Sequence, residues 1–110
     1  MTSSRSYGPR SLLPSRLCFG TMQFGAGASE TDSAEMYQDC RAAGVNFFDT
    51  AYVYTDGKSE QILGRLIAKE RDQIILVTKA GAVGGSSAQT IRTQLETSLA
   101  RLNQDYTDIF

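Results

Sequence analysis

The sequence predicts an α/β fold built on a parallel β-sheet, and two observations support this class. Short apolar segments are separated by segments with helical periodicity, so strands and helices alternate along the chain. The apolar segments lack polar–apolar alternation, which is typical of strands that are covered on both faces. Such alternation of elements favours right-handed crossovers. A doubly wound open sheet and a (β/α)8 barrel both fit this order.

Four apolar segments are the predicted strands. They span five to nine residues each and are rich in aliphatic or aromatic side chains. The last of them ends with the chain, so the sequence predicts only the start of a fourth strand. The segments are RLCFGTMQF (16–24), VNFFDT (45–50), QIILVTK (73–79) and YTDIF (106–110).

Three segments between the strands carry apolar residues at helical spacing, and they predict helices over residues 30–43, 59–70 and 88–102. Gly44 follows the first helix as a stop signal. Ser59 is the candidate N-cap of the second helix. Ser86 and Gln89 have the spacing of a capping box for the third. Gly64, inside the second helix, is expected to allow close packing against the sheet.

Composition limits the classes of function. The chain has 110 residues, 41% hydrophobic residues, 21% charged residues and a net charge of -1, which predicts one globular domain without nucleic-acid or membrane partners. Cys18 and Cys40 lack a CxxC spacing, and the chain has no histidine. We therefore expect no zinc site or other metal site and no disulfide. Two buried free thiols would suit the reducing cytoplasm.

The first residues differ in composition from the rest. Residues 1–15 predict a polar lead-in with a turn at Gly8-Pro9, and residues 16–110 predict the domain. Arg5 and Arg10 lie in the lead-in, and the first acidic residue is Glu30. Transit peptides share this acid-poor composition and remain the alternative interpretation.

Polar residues at the strand ends are the candidate site. Ligands of parallel sheets bind at the carboxyl ends of the strands. Asp49 ends the second predicted strand and Lys79 ends the third, so the two charges can pair. Tyr54 follows five residues after Asp49, close enough for its loop to fold back over this rim. A lysine ammonium beside a tyrosine makes the hydroxyl a better proton donor. An acid–base site and a purely structural ion pair both fit.

The glycine-rich segment GAVGGSS (81–87) precedes the third helix. Glycine-rich loops before helices can bind phosphate. This one lacks the GxGxxG spacing and the Gly-Lys-Ser/Thr ending of known phosphate loops. A flexible connection to the helix is the favoured interpretation.

Taken together, these residues resemble the aldo-keto reductase superfamily over about residues 16–110. The resemblance implies the N-terminal half of a (β/α)8 TIM barrel, truncated in the fourth strand. It also implies an NADPH-dependent oxidoreductase, with NADH possible, that reduces aldehydes or ketones to alcohols. The motifs are GTMQFG (20–25), GVNFFDTAYVY (44–54), SEQILG (59–64), ILVTK (75–79) and LETSLARLNQDYTDIF (95–110).

The resemblance also assigns catalytic roles. Tyr54 would be the general acid that protonates the carbonyl oxygen as the hydride arrives. Lys79 would activate Tyr54, and Asp49 would hold Lys79 in place. Tyr52 would be a packing neighbour.

A cofactor site follows from the same resemblance. Gly20, Thr21 and Met22 would line the nicotinamide side of the cofactor site, together with Asp49. The expected substrate is a small carbonyl compound.

The chain also departs from the family pattern. The family's fourth catalytic residue is a histidine, which would fall a few residues beyond Phe110. A complete barrel needs about 250 residues. We therefore expect a fragment that is inactive alone and self-associates through open sheet edges. A non-catalytic binding or regulatory family member and a genuinely short non-catalytic protein are the alternatives.

Overall fold

The computed structural model describes residues 12–110, so the expected turn at Gly8-Pro9 lies outside the described residues. It contains a parallel three-stranded sheet in the order β1-β2-β3, with a helix after each strand. The predicted α/β class is confirmed. The strands are β1 (Phe19–Gly20), β2 (Phe47–Asp49) and β3 (Ile75–Val77), and the helices are α1 (Glu30–Ala42), α2 (Lys58–Ile67) and α3 (Ala88–Leu102).

The strands are shorter than the apolar segments that predicted them. The segment 16–24 forms only the two residues of β1, because the chain turns at Thr21, whose carbonyl accepts a hydrogen bond from the Phe24 amide at 3.0 Å. Phe24 is nevertheless buried. The apolar segment is therefore longer than β1, because residues after the strand are also buried without being paired in the sheet.

The predicted fourth strand exists only as an isolated bridge. Ile109 pairs in parallel with Val77, and its carbonyl accepts from the Thr78 amide at 3.3 Å. An ion pair fixes this segment, since Arg71 lies 3.0 Å from the carboxylate of Asp108. Asp108 also accepts from the amide of Leu76 at 2.8 Å. The end of the chain is thereby attached to β3.

The three helices are confirmed, but two predicted caps are wrong. Gly57, with φ of +92°, is the N-cap of α2 in place of Ser59, because the preceding turn needs a left-handed residue. Ser87 caps α3 in place of Ser86, and its hydroxyl accepts from the Thr90 amide at 3.1 Å.

Gly64 packs closely as expected, but against a helix and not against the sheet. A Cβ atom at Gly64 would lie 2.3 Å from the carbonyl oxygen of Leu102. The backbone of α2 therefore approaches the C-terminal turn of α3 directly, which only glycine permits.

The core lies between the sheet and its covering helices. Its members are fully or almost fully buried apolar side chains from both layers: Phe24, Tyr37, Phe48, Ile62, Leu63, Ile67, Ile74, Leu76 and Leu102.

Cys18 is exposed and Cys40 is half-buried, so the expectation of two buried thiols is wrong. None of the helices in residues 12–110 has the length and apolar character needed to cross a bilayer.

A charged cluster ties α1 to the segment before β3. The Arg41 guanidinium donates to both carboxylate oxygens of Glu70, at 2.9 and 3.2 Å, and the Tyr37 hydroxyl also donates to Glu70. The bonds from Arg41 hold the pKa of Glu70 below its ordinary value. Burial, reinforced by the Glu70 carboxylate, raises the pKa of Tyr37. This cluster lies at the amino-terminal edge of the sheet, opposite the candidate site.

We predict that this cluster makes folding sensitive to acid. Because the pKa of Glu70 is lowered in the folded state, its stabilisation is present above the unfolded value of about 4.3 and is lost as pH falls through the folded value. Glu70→Gln should therefore flatten the fall of the urea midpoint between about pH 5 and pH 3.

Glu30→Gln is the matched control for this prediction. Glu30 pairs with Arg65 through two hydrogen bonds, but both side chains are more than half exposed. Exposed pairs contribute little to stability and are screened by salt. An equal flattening in Glu30→Gln would contradict the assignment to Glu70.

Candidate functional site

The two charges predicted at the strand ends form an ion pair. Asp49 is the last residue of β2, and its register partner is Val77 at the end of β3. The Lys79 ammonium donates to Asp49 Oδ1 and, at 2.7 Å, to the carbonyl of Thr50. The side chains of Lys79 and Asp49 keep 44% and 33% of their surface exposed. The pair therefore lies at an open rim where a ligand can approach.

Tyr54 lies beside this pair. The Lys79 Nζ lies 5.1 Å from the centroid of the Tyr54 ring, within the range of a cation–π interaction. The three side chains that the sequence singled out for catalysis therefore come together.

The backbone after Tyr54 is strained. Tyr54 begins a short 3-10 turn, Tyr54–Gly57, in which Thr55 and Asp56 have φ of 48° and 53°. Left-handed conformations are costly for such residues and persist only where the surroundings impose them. The Thr55 hydroxyl compensates, since it donates to the Phe24 carbonyl and accepts from the Ser59 amide, each at 2.9 Å.

The two tyrosines of this loop have different surroundings. The amide of Tyr52 donates to the carbonyl of Lys79 at 3.0 Å, which joins the loop to the end of β3. Its ring stacks on the guanidinium of Arg101, 4.6 Å from the ring centroid. Tyr52 thus packs against Arg101, whereas Tyr54 lies beside Lys79.

The segment predicted to meet a nicotinamide is only partly accessible. Gly20 is exposed and has no atom within 4 Å of where a Cβ would lie, and Met22 is more than half exposed. Thr21 is fully buried, and both its amide and its hydroxyl donate to the carbonyl of Asp49 at 2.9 Å. Gly20 and Met22 therefore offer an open, partly apolar surface.

A buried hydroxyl cluster beneath this rim was missed at the sequence level. The Ser59 hydroxyl lies 2.8 Å from both the Thr21 and the Thr50 hydroxyls, and it also contacts the Thr21 carbonyl at 2.8 Å. All three side chains are fully buried. A threonine stands directly after β1 and directly after β2, and this repetition was the available signal.

A buried carboxylate completes this layer. Glu60 has no exposed surface, and it accepts from the Thr78 hydroxyl at 2.6 Å and from Arg101 at 3.1 Å. The same Arg101 nitrogen donates to the Tyr52 carbonyl at 2.8 Å. At the sequence level Glu60 stands out only as part of SEQILG (59–64), and Arg101 only as part of LETSLARLNQDYTDIF (95–110).

The glycine-rich loop is tied to the helix that follows it. Gln94 of α3 is almost fully buried, accepts from the Gly81 amide and donates to the Val83 carbonyl, each at 2.9 Å. These bonds support the interpretation of residues 81–87 as a connection. Within residues 12–110 there is no cluster of three acidic, cysteine or histidine side chains that could bind a metal.

We predict that the rim pair and the buried pair contribute very differently to stability. Asp49→Asn should cost less than about 1 kcal/mol, because solvent screens an exposed pair. Glu60→Gln should cost about 1–3 kcal/mol, because it removes a buried charge that Arg101 and Thr78 satisfy. Urea unfolding at one fixed protein concentration measures both.

An equal cost for the two variants would contradict this prediction. It would mean that Asp49 and Lys79 form a structural ion pair, which is the alternative that the sequence left open.

Comparisons with known proteins agree on one family. A family model described as the aldo/keto reductase family matches residues 16–110. A probable voltage-gated potassium channel subunit beta from Oryza sativa is 36% identical over 115 residues, covering 96% of this chain and 35% of that protein. Aflatoxin B1 aldehyde reductase member 2 from Rattus norvegicus is 35% identical over 119 residues, covering 100% of this chain and 32% of that protein.

A solved structure gives the same result for the fold. An aldo-keto reductase from Bacillus halodurans, in its holo form, aligns with a TM-score of 0.78 and 33% identity, covering 94% of this chain and 37% of that chain. The sheet and helices align with the N-terminal part of such a (β/α)8 barrel. The chain spans about a third of the length of the curated relatives it matches.

Proposed function

The chain belongs to the aldo/keto reductase family, and from that premise we propose that its rim serves the NAD(P)H-dependent reduction of an aldehyde or ketone. One observation carries the proposal. The Lys79 ammonium lies between the Asp49 carboxylate and the Tyr54 ring, at the carboxyl end of a parallel sheet. Active sites of parallel barrels lie at this end.

The three side chains then divide the work of proton transfer. Tyr54 donates its hydroxyl proton to the carbonyl oxygen of the substrate. Lys79 stabilises the phenolate that remains, because a nearby cation favours the charged form. Asp49 and the Thr50 carbonyl fix the ammonium in this position.

NADPH, or NADH, would supply the hydride when bound. Gly20 and Met22 would offer the open surface for its nicotinamide ring, and Asp49, the register partner of Gly20, would form the adjacent edge. Thr21 supports that surface from below. The proposed location of the protein is the cytoplasm, where its two free cysteines would stay reduced.

Turnover is expected to need more than these residues. The 110 residues contain no histidine, although the family pattern has one in its fourth strand. They also match only about a third of each relative. Positioning groups supply much of an enzyme's rate. We therefore propose that the activity belongs to a longer polypeptide of which this chain is a part.

We predict that Tyr54→Phe lowers turnover about 10²- to 10⁴-fold, the usual contribution of a general acid. The test protein is the product of the whole reading frame, including any codons after 110. NADPH oxidation is followed at 340 nm with a panel of aromatic and aliphatic aldehydes. Where the frame stops at codon 110, no turnover is expected.

Tyr52→Phe is the matched control, since Tyr52 lies in the same loop and contacts Arg101 through its ring and carbonyl. It should keep most of the activity. Full turnover by Tyr54→Phe, or robust turnover by the 110 residues alone, would refute the proposed roles.

A non-catalytic regulatory function is the second candidate. The observation that favours it is the 36% identity to a probable voltage-gated potassium channel subunit beta. The presence of Asp49, Tyr54 and Lys79 does not separate the two candidates, because a regulatory subunit can retain these residues. The same aldehyde panel discriminates, since a regulatory subunit should show no Tyr54-dependent turnover.

We also predict that the 110-residue chain self-associates. In the described part of the chain, β1 pairs only with β2, and Leu17 and Phe110 are exposed apolar residues near the sheet. Open strand edges and exposed apolar surface favour association. Sedimentation velocity should therefore give species larger than the 12.0 kDa monomer.

Leu17→Asp should reduce this association, because it places a charge beside the open edge of β1. Val83→Asp is the control, since Val83 is comparably apolar and exposed but lies in the loop before α3. A monomer with a sharp cooperative melt would contradict the prediction.

A further inference from the structure

One turn of α2 contacts the carboxyl ends of all three strands. Thr21, Thr50 and Thr78 each follow directly after a strand, and each is fully buried. Thr21 and Thr50 bond to the Ser59 hydroxyl, and Thr78 bonds to the Glu60 carboxylate. Two consecutive residues therefore fix three strand ends through short hydrogen bonds.

Each of these threonines adjoins a residue of the proposed site. Thr21 lies between Gly20 and Met22, Thr50 follows Asp49, and Thr78 precedes Lys79. The Thr50 carbonyl itself accepts from the Lys79 ammonium at 2.7 Å. Thr50 is the chain neighbour of Asp49, and Thr78 is the chain neighbour of Lys79. A displacement of the α2 turn would therefore shift both members of the ion pair.

The same turn also sets the loop that carries Tyr54. Arg101 joins Glu60 to the Tyr52 carbonyl, two residues before Tyr54. The fit is tight, since a Cβ at Gly57 would lie 2.6 Å from Arg101 Nε. Glu60 is therefore connected to Lys79 through Thr78 and to the loop of Tyr54 through Arg101. The position of Tyr54 relative to Lys79 depends on both connections.

We propose that Ser59 and Glu60 are positioning residues for the proposed reaction, holding Asp49, Lys79 and Tyr54 in register through the three threonines. This inference rests on the proposed function for its catalytic meaning. The statement that Ser59 and Glu60 hold the three strand ends does not depend on the proposed function. Burying a carboxylate is costly, so stability alone is a weak reason for Glu60 to stand here. Buried and fully satisfied polar networks instead specify one arrangement of the groups around them.

The test measures the chemical reactivity of Lys79 in the 110-residue chain. Competitive acetylation with acetic anhydride, read by mass spectrometry, compares Lys79 with exposed Lys69 as an internal reference. In the wild type, the bonds to Asp49 and Thr50 should slow the labelling of Lys79. Ser59→Ala and Thr78→Val should speed it about threefold to tenfold relative to Lys69, equivalent to about 0.6–1.4 kcal/mol of lost restraint.

Two matched variants separate positioning from loss of stability. Ser98→Ala also removes a buried helical hydroxyl, but the Ser98 oxygen has no hydrogen-bond partner within residues 12–110. It should leave the labelling ratio unchanged. Thr78→Ser keeps the hydroxyl that bonds Glu60 and should restore the wild-type ratio.

A second readout uses the product of the whole reading frame. There Ser59→Ala and Thr78→Val should lower kcat with little change in KM, because they misplace the proton donor without removing a substrate contact. Faster Lys79 labelling in the variants, combined with no turnover by the wild-type product of a reading frame longer than 110 codons, would sink the proposed function and leave the positioning inference standing. Wild-type labelling and kcat in both variants, or an unprotected Lys79 in the wild type, would overturn the inference.

Discussion

The buried carboxylate of Glu60 is the constraint on which the other features of this chain depend. A carboxylate with no exposed surface is tolerated only when its oxygens are satisfied. One oxygen accepts from Thr78 and the other from Arg101. These two bonds place the end of β3 and the C-terminal turn of α3 against the start of α2. The close approach of Gly64 to the Leu102 carbonyl is the packing counterpart of the same contact.

The two edges of the sheet use polar groups differently. At the amino-terminal edge, the ion pair between Arg41 and Glu70 joins α1 to the loop before β3. At the carboxyl edge the polar groups form two layers. The lower layer is buried and fully paired, and the upper layer, Asp49 and Lys79, is open to solvent. Rigid support beneath an accessible pair is the arrangement that preorganised sites need.

Much of the fold could be predicted from the sequence, and the limits have physical causes. The three helices were predicted within a few residues, because the spacing of residues such as Leu63 and Ile67 reports the buried face directly. The predicted strands were longer than the observed ones. Apolar character indicates burial, whereas a strand also needs a hydrogen-bonded neighbour. The proximity of Asp49, Lys79 and Tyr54 could be predicted, because strand ends converge in parallel sheets. The buried contacts of Ser59 and Glu60 could not be predicted, because their partners lie 9–41 residues away along the chain.

The support for the rim is complete within the first three strand–helix units. Every hydrogen bond that orients Lys79 comes from Asp49 or Thr50, among the residues described. The strained turn after Tyr54 is likewise stabilised within these units, because the Thr55 hydroxyl bonds to the Phe24 carbonyl and to the Ser59 amide. Because Asp49, Tyr54, Lys79 and the groups that bond to them lie on one contiguous segment of chain, the hydrogen bonds that set the geometry of the rim do not require a bound cofactor. Parallel barrels in general vary the loops at this end of the sheet while the strands and their supports stay the same, and a rim that is held by its own strand ends is compatible with such variation.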